Sequence, residues 1–278
     1  MPETVNGLWI KGKLSSLELL TIESFISNGF IFCLWTYDKA FIHVSDKVIL
    51  KDANEILSFE QVFCYQFQNI NGHGKGSYAG FSDIFRYKLL YEKGGIWTDM
   101  DITCLKSFKI KADYFFRYHH KSGAVGNFMK CPRNSKLMKW CYEKAIIEVT
   151  KYNKNWMLPI QILNEGIKEH KLSNYIYKNS NNDSFPEVSK FLNKNHEIPD
   201  SWQLFHWMNE EFRRLKVDKH QCIEHSLLNK YYNLYGIKHE TLKGVQKFIY
   251  LLNISRINYL WQHIKAIFYW YLKYHQRG

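Results

Sequence analysis

Two aspartates one residue apart, Asp99 and Asp101, close the segment SDIFRYKLLYEKGGIWTDMDI that runs from Ser82 to Ile102. Carboxylate oxygens are hard donors, and a converging pair can hold a divalent cation such as Mn²⁺ or Mg²⁺. A cation so placed acts as a Lewis acid toward a departing oxyanion. Taken alone, an acidic pair at this spacing is more often a turn or the end of a strand, so the surrounding residues decide how it is read.

Those residues predict the elements that position the pair. Ile96 and Trp97 lead into the aspartates as a short apolar strand. In extended backbone residues i and i+2 share a face, which puts Asp99 and Asp101 together and turns Thr98 and Met100 the other way. Open α/β sheets bind ligands at the carboxyl ends of their strands, where this pair is expected. Ahead of it, Ser82 as N-cap, a stripe of Ile84, Phe85, Leu89 and Leu90, and Gly94 as a stop predict a helix over 83–93. Asp83 and Arg86 lie three apart on that helix. They share a face, where they either form an ion pair or offer an acceptor and a donor fork to a polyol.

The rest of the chain alternates in the same manner. Strand-like runs occur at 7–10, 30–37, 48–50, 96–102, 114–118 and 124–130, and helix-like periodicity at 15–27, 135–150 and 159–169. This pattern predicts an α/β protein with an open, mainly parallel sheet of nucleotide-binding type flanked by helices. The polar stretch 178–182 reads as a surface loop. Gly72-His73-Gly74-Lys75-Gly76-Ser77 superficially resembles a phosphate-cradling loop, but Gly76 separates Lys75 from Ser77 and the Walker spacing fails; it reads as a mobile loop. Glu210 and Glu211, opening EEFRRLK, read as a solvated helix face.

Ser82-Asp83, Arg86, Leu90-Tyr91, Gly94-Gly95, Asp99 and Asp101 together resemble the DxD region of glycosyltransferases of the capsular-polysaccharide and Och1-like mannosyltransferase type, which is related to the glucosyltransferase domain of large clostridial toxins. Leu8-Trp9-Ile10, the Leu14 to Glu18 stretch and the Leu34 to Asp38 stretch extend the likeness over about the first 210 residues. The resemblance implies a GT-A fold and transfer of a sugar from a nucleotide sugar, with a UDP-sugar as donor, to a glycan acceptor of capsular or lipopolysaccharide type, with retained configuration. It implies Asp99 and Asp101 as ligands of Mn²⁺ or Mg²⁺, Asp83, Arg86 and Asp99 against the donor sugar, Trp9 and Ile10 against the nucleotide, and Asn127 at the donor site. His206-Trp207-Met208-Asn209 resembles the family's late His-x-Trp-Asn, with the tryptophan displaced, and implies His206 as a further metal ligand and Asn209 at the diphosphate. Met157-Leu158-Pro159 departs from the family's Thr-Gly-Pro. A GDP-mannose-dependent mannosyltransferase of the same fold is the alternative within the class. No nucleophile for a double displacement stands out.

Composition bounds these readings. The chain has 278 residues, 46% hydrophobic and 17% aromatic, enough for a large core. Its six cysteines show no CxxC pairing, which predicts reduced thiols. The opening MPETVNGLWIKGK reads as the approach to the first strand rather than a signal peptide; a secretory-pathway enzyme of the resembled family would be expected to carry a membrane anchor there, so the resemblance implies a cytoplasmic enzyme of bacterial type. Residues 1–228 are expected to form the catalytic domain and 229–278 a basic, aromatic, helical extension. From Lys230 onward eight lysines and arginines face Glu240 alone, so most of the formal charge of +12 sits there. Interleaved with rings such as Phe248, Tyr250, Trp261 and Trp270, this composition suits the cytoplasmic surface of a membrane and a lipid-linked acceptor. The same charge would fit a nucleic-acid-binding module, but no such motif is present and the aspartate pair would repel phosphates unless a metal intervened. A metal-dependent phosphohydrolase, needing no acceptor, is the third reading.

Overall fold

The computed structural model describes residues 2–178, 181–182 and 184–255. Among them the first half of the chain forms β1 (Thr4–Trp9), α1 (Ser16–Ser27), β2 (Ile31–Thr36), β3 (Ile49–Asp52), α2 (Ala79–Lys93), β4 (Gly95–Thr98), β5 (Ile102–Cys104), β6 (Phe115–His119) and β7 (Gly123–Cys131). The second half forms α3 (Lys136–Glu148), α4 (Leu158–Glu169), β8 (Ile176–Tyr177), α5 (Phe185–Asn193), β9 (Leu204–His206), α6 (Asn209–Leu215), β10 (Gln221–Ile223), α7 (Leu227–Leu234), β11 (Glu240–Leu242) and α8 (Gly244–Ile254).

The main sheet has the order β3-β2-β1-β4-β7-β6-β8 among the described residues. β1 runs parallel to β2 and β4, β2 to β3, and β6 to β8, while β7 is antiparallel to β4 and β6. The expected open, mainly parallel α/β sheet is borne out. From β1 the chain winds outward through β2 and β3, then crosses back through α2 to place β4 on the other side of β1. The strand order thus reverses between β1 and β4, and the crevice at their carboxyl ends is where such sheets take ligands.

Adjacent residues on a strand face opposite layers, and here both layers are apolar. Trp97, Met129, Phe116 and Trp35 join the cluster under α2, α3 and α4, whereas Ile96, Phe128, Phe115 and Leu34 join the one under α1. A sheet covered on both faces needs continuous apolar runs, which explains IFCLW and GIW in the sequence. α1 begins as expected: Ser15 caps it and Glu18 reaches back to the Ser15 N–H. All six cysteines are free, and only Cys64 among them is not buried.

Three expectations change. α2 starts at Ala79, not at an Ser82 cap; Ser82 lies within the first turn, with its N–H on the Tyr78 carbonyl. Gly80 lets the buried Tyr65 pack against this first turn, because a Cβ there would stand 2.4 Å from the Tyr65 hydroxyl. The strand expected over 96–102 breaks into β4 and β5, with residues 99–101 between them. Finally, Asn181 and Asn182 are buried, not part of a surface loop. α2 does end at Gly94, whose φ of 69° suits glycine and whose missing Cβ would lie 2.5 Å from the Arg133 nitrogen.

Past β8 the chain builds a third apolar cluster on α1. Leu17 and Leu20 pack with Val188, Phe205, Trp207, Phe212, Leu227, Tyr232, Tyr250 and Ile254. The boundary expected between 228 and 229 falls inside α7, and side chains on both sides of it share this cluster. Residues 256–278 of the expected extension lie outside the described residues.

Candidate active site

Asp99 and Asp101 stand at the switch point, in the turn that joins β4 to β5. Strand periodicity therefore does not bring them together; main-chain anchors do. The Asp99 N–H donates to the Asn127 carbonyl at 2.7 Å, and the Asp101 carbonyl accepts the Trp207 N–H at 2.9 Å. Met100, between them, is buried below the sheet beside Gly7. The Asp99 side chain is 33% exposed and that of Asp101 10%, so the pair borders solvent from a buried floor.

On one side of the pair lies α2. Arg86 donates through Nη2 to Asp83, the ion pair that their spacing allowed, and its Nη1 stands 3.6 Å from Asp99 Oδ1. The guanidinium lies 5.4 Å over the Trp97 ring, a cation–π contact, and the Trp97 N–H donates to Asp99 Oδ1 at 2.7 Å. Gly126 on β7 makes room for this cation, since a Cβ there would come within 2.5 Å of Arg86 Nη1.

Burial pushes the Asp83 carboxyl up to about 6, against the opposing charge of Arg86 and with a contribution from Asp99. Burial and the charge of Asp101 likewise raise Asp99, although Arg86, the Trp97 N–H and His206 pull it down. Asp101 lies below the ordinary carboxylate range. Burial alone would raise it, but His206, the Asn209 N–H and Lys219 outweigh that effect. Two neighbouring carboxylates held apart in this way repel each other, and a cation between them would relieve the repulsion.

The other side of the pair is built by β9. β5 and β9 run antiparallel with Ile102 opposite His206, which carries the His206 ring to Asp101: Nε2 is 3.3 Å from Asp101 Oδ2. Asn209 adds its main-chain N–H to the same oxygen at 2.7 Å. Met208 makes that possible by taking a left-handed conformation, φ 62° and ψ 60°, uncommon for a residue with a side chain. On the far edge of the ring, Nδ1 faces Arg117 Nη1 at 3.4 Å and Asn127 Nδ2 at 3.3 Å. Nδ1 thus faces a guanidinium and an amide, and Nε2 faces the Asp101 carboxylate. Placed so, the His206 ring supports the Asp101 carboxylate. Trp207 is fully buried, its indole N–H on Thr103 Oγ1 at 2.8 Å, and serves the core.

Trp9 is half-buried at the carboxyl end of β1, with Ile10 buried behind it. The Trp9 ring carries Lys219 Nζ at 5.5 Å, and Lys219 is ion-paired with the buried Glu18. Expectations for 72–77 and for Glu210 and Glu211 both change. Glu211 is buried and meets His73 Nε2 at 3.0 Å, Glu210 accepts the Gly74 N–H at 3.1 Å, and Arg213 donates to the Lys75 carbonyl at 2.6 Å. The glycine-rich loop is thus strapped to α6, and the two glutamates are its fasteners.

Four residues at this site escape a reading of sequence. Asn182 lies in a polar tract that reads as loop, and nothing local distinguishes Lys219 or Gly126. Arg117 does carry a signal: a charge inside an aromatic strand must find partners when buried.

Among the described residues no three His, Cys, Asp or Glu side chains are grouped to hold a metal ion. The donor set nevertheless fits a hard cation, because Mg²⁺-type sites commonly use one or two carboxylates and leave the other positions to phosphates and water. Asp99 and Asp101 would hold it.

Residues 26–117 match the family described as "Glycosyltransferase sugar-binding region containing DXD motif". That segment contains Asp83, Arg86, Asp99 and Asp101, whereas Trp9, Asn127, His206 and Asn209 fall outside it. The match supports a glycosyltransferase with a DXD motif, an enzyme of sugar transfer. No curated protein sequence matches the chain. Similar solved structures include the PaToxG glycosyltransferase, with 13% identity, a TM-score of 0.44 and coverage of 91% of this chain and 84% of that one. A second is a mutant transferase with two cysteines replaced by serine, at 11% identity, a TM-score of 0.40 and coverage of 73% and 93%.

Proposed function

We propose that this protein transfers a sugar from a nucleotide-sugar donor, a UDP-sugar, to a hydroxyl of a glycan acceptor. The observation that carries this reading is the Asp99–Asp101 turn at the switch point of the sheet, where two repelling carboxylates sit between a buried guanidinium and the Trp9–Lys219 pair. Arg86 and Asp83 offer a donor fork and an acceptor to the hydroxyls of the donor sugar. Trp9 offers its ring to the base, with Ile10 beneath it, and Asn127 orients His206 beside Asp101. Asn209 fixes one Asp101 oxygen and leaves the other free. Mn²⁺, bound by Asp99 and Asp101, would supply Lewis-acid charge against the negative charge that builds on the departing diphosphate. Configuration would be retained, and the acceptor would be a capsular or lipopolysaccharide chain on a lipid carrier, reached from the cytoplasmic face of a bacterial membrane to which the enzyme attaches peripherally.

Thermal melting of the purified protein with UDP-glucose, UDP-galactose, UDP-N-acetylglucosamine, UDP-glucuronate and GDP-mannose, each with Mn²⁺ and with EDTA, tests the reading. A donor at 100 times its dissociation constant adds about 2.7 kcal/mol of stability. A manganese-dependent rise with one UDP-sugar is expected. A rise with GDP-mannose alone would replace the donor, and no rise with any of them would sink the proposal.

A further inference from the structure

α8 is apolar on two opposite sides. Tyr250 and Ile254 are buried in the cluster that also holds Leu17, Trp207 and Tyr232, which fixes one side against the protein. Val245, Phe248, Ile249 and Leu252 follow the i, i+3, i+4, i+7 spacing of a single stripe, yet they are 74%, 61%, 51% and 44% exposed. A helix that is hydrophobic all round is ordinarily covered all round. Four large apolar side chains left in one uncovered stripe mark an interaction surface.

Charge decides which surface fits it. Lys243 and Lys247 are exposed in the same segment. The chain beyond, 256–278, carries Arg256, Lys265, Lys273 and Arg277 with no aspartate or glutamate, and seven aromatic rings besides. A groove on another protein would satisfy the stripe without any need for charge of a single sign. An anionic bilayer satisfies both features, with the acyl boundary for the stripe, phosphate headgroups for the cations and the interfacial zone for the rings. Among the described residues no helix is long and apolar enough to cross a membrane, so α8 would lie in the plane of the surface.

We infer that the exposed face of α8 is a lipid-contacting surface that seats the protein on an anionic membrane. The inference rests on the peripheral attachment included in the proposed function, not on its chemistry. It also divides the rings of the basic extension: Phe248 meets lipid, whereas Tyr250, buried, holds α8 to the core.

Co-sedimentation of the full chain with phosphatidylcholine vesicles, with and without phosphatidylglycerol, tests it. Binding to the anionic vesicles, weakened by salt, is expected, and the double substitution Phe248→Ser with Ile249→Ser should reduce it at least about tenfold. Lys243→Glu with Lys247→Glu should reduce it by a similar factor. All four positions are exposed, so melting temperature and sugar-nucleotide binding should match the parent. If the serine variant does not fold, the glutamate variant carries the test alone. Absence of vesicle binding, or binding untouched by either variant, overturns the inference. So does a serine variant that instead breaks a dimer seen by light scattering, because the occupant is then a second copy of the chain. Loss of vesicle binding with donor binding intact separates this surface from the Asp99–Asp101 site.

Discussion

The Asn182 side chain bonds both main-chain groups of His206: Nδ2 donates to its carbonyl at 2.7 Å and Oδ1 accepts its N–H at 2.8 Å. The register of β9 explains why both groups need a partner. Trp207 donates to the Asp101 carbonyl, so Ile102 and His206 form a non-hydrogen-bonded pair, and the His206 amide and carbonyl point away from β5. Asn182 stands where another strand would. Its own carbonyl accepts from Arg117 at 2.7 Å, and Arg117 also reaches the His206 ring. A slip between Phe116 and Arg117 in the β6–β7 pairing re-aims the arginine.

Asn182→Ala should therefore leave two buried main-chain groups without partners, at a cost of about 2–4 kcal/mol in urea unfolding. Turnover should fall with it, because β9 carries His206 to Asp101. Stability within about 0.5 kcal/mol of the parent would show that water or a shifted strand replaces the amide.

Gly126→Ala tests how tightly Arg86 is held. The added Cβ would stand 2.5 Å from Nη1 and 3.0 Å from Cζ, and the guanidinium must turn away from Asp83 and Asp99. The donor KM should rise about tenfold, which is about 1.4 kcal/mol, with little change in melting temperature. An unchanged KM would remove Arg86 from donor recognition.

Asp101 and His206 should separate by role. Asp101→Asn should lower turnover about 10²-fold or more, as expected for the loss of one preorganised electrostatic contact. His206, facing a guanidinium and an amide at Nδ1 and the Asp101 carboxylate at Nε2, should hold a proton on Nε2 when Mg²⁺ and UDP are added. Nitrogen-15 NMR of the ring reads this directly. A bare Nε2 in the loaded protein would make His206 a ligand instead of a support for Asp101.

The β/α alternation is legible in sequence because the central strands β1, β2, β4 and β7 are buried on both faces while the helices between them are amphipathic, so the apolar period changes from strand to helix. Asp83, Arg86, Asp99 and Asp101 are legible because they lie within twenty residues. The break at 99–101 is not: it is enforced by Asn127 and Trp207, distant in sequence, and a local strand pattern reads straight through it. His206 shows as a residue type, but its meeting with Asp101 depends on a register between β5 and β9 that no periodicity encodes. Asn182 fails for the same reason, since a polar tract reads as exposed until tertiary structure gives it buried partners.

Asp83 supplies a pH signature. Its carboxyl is raised by burial from an ordinary 3.8 to about 6, so between those values the folded protein holds a proton that the unfolded chain releases. Protonated Asp83 is compatible with its buried place and charged Asp83 is less so. Its favourable contribution is complete below pH 3.8 and is lost as pH rises through about 6. Asp83→Asn carries no such proton. The stability of the parent minus that of the variant, from urea unfolding at a series of pH values, should therefore decline across this window and stay level above it. A difference that instead grows with pH would mean that Arg86 holds Asp83 below the ordinary carboxylate range, and that the ion pair outweighs the cost of burial.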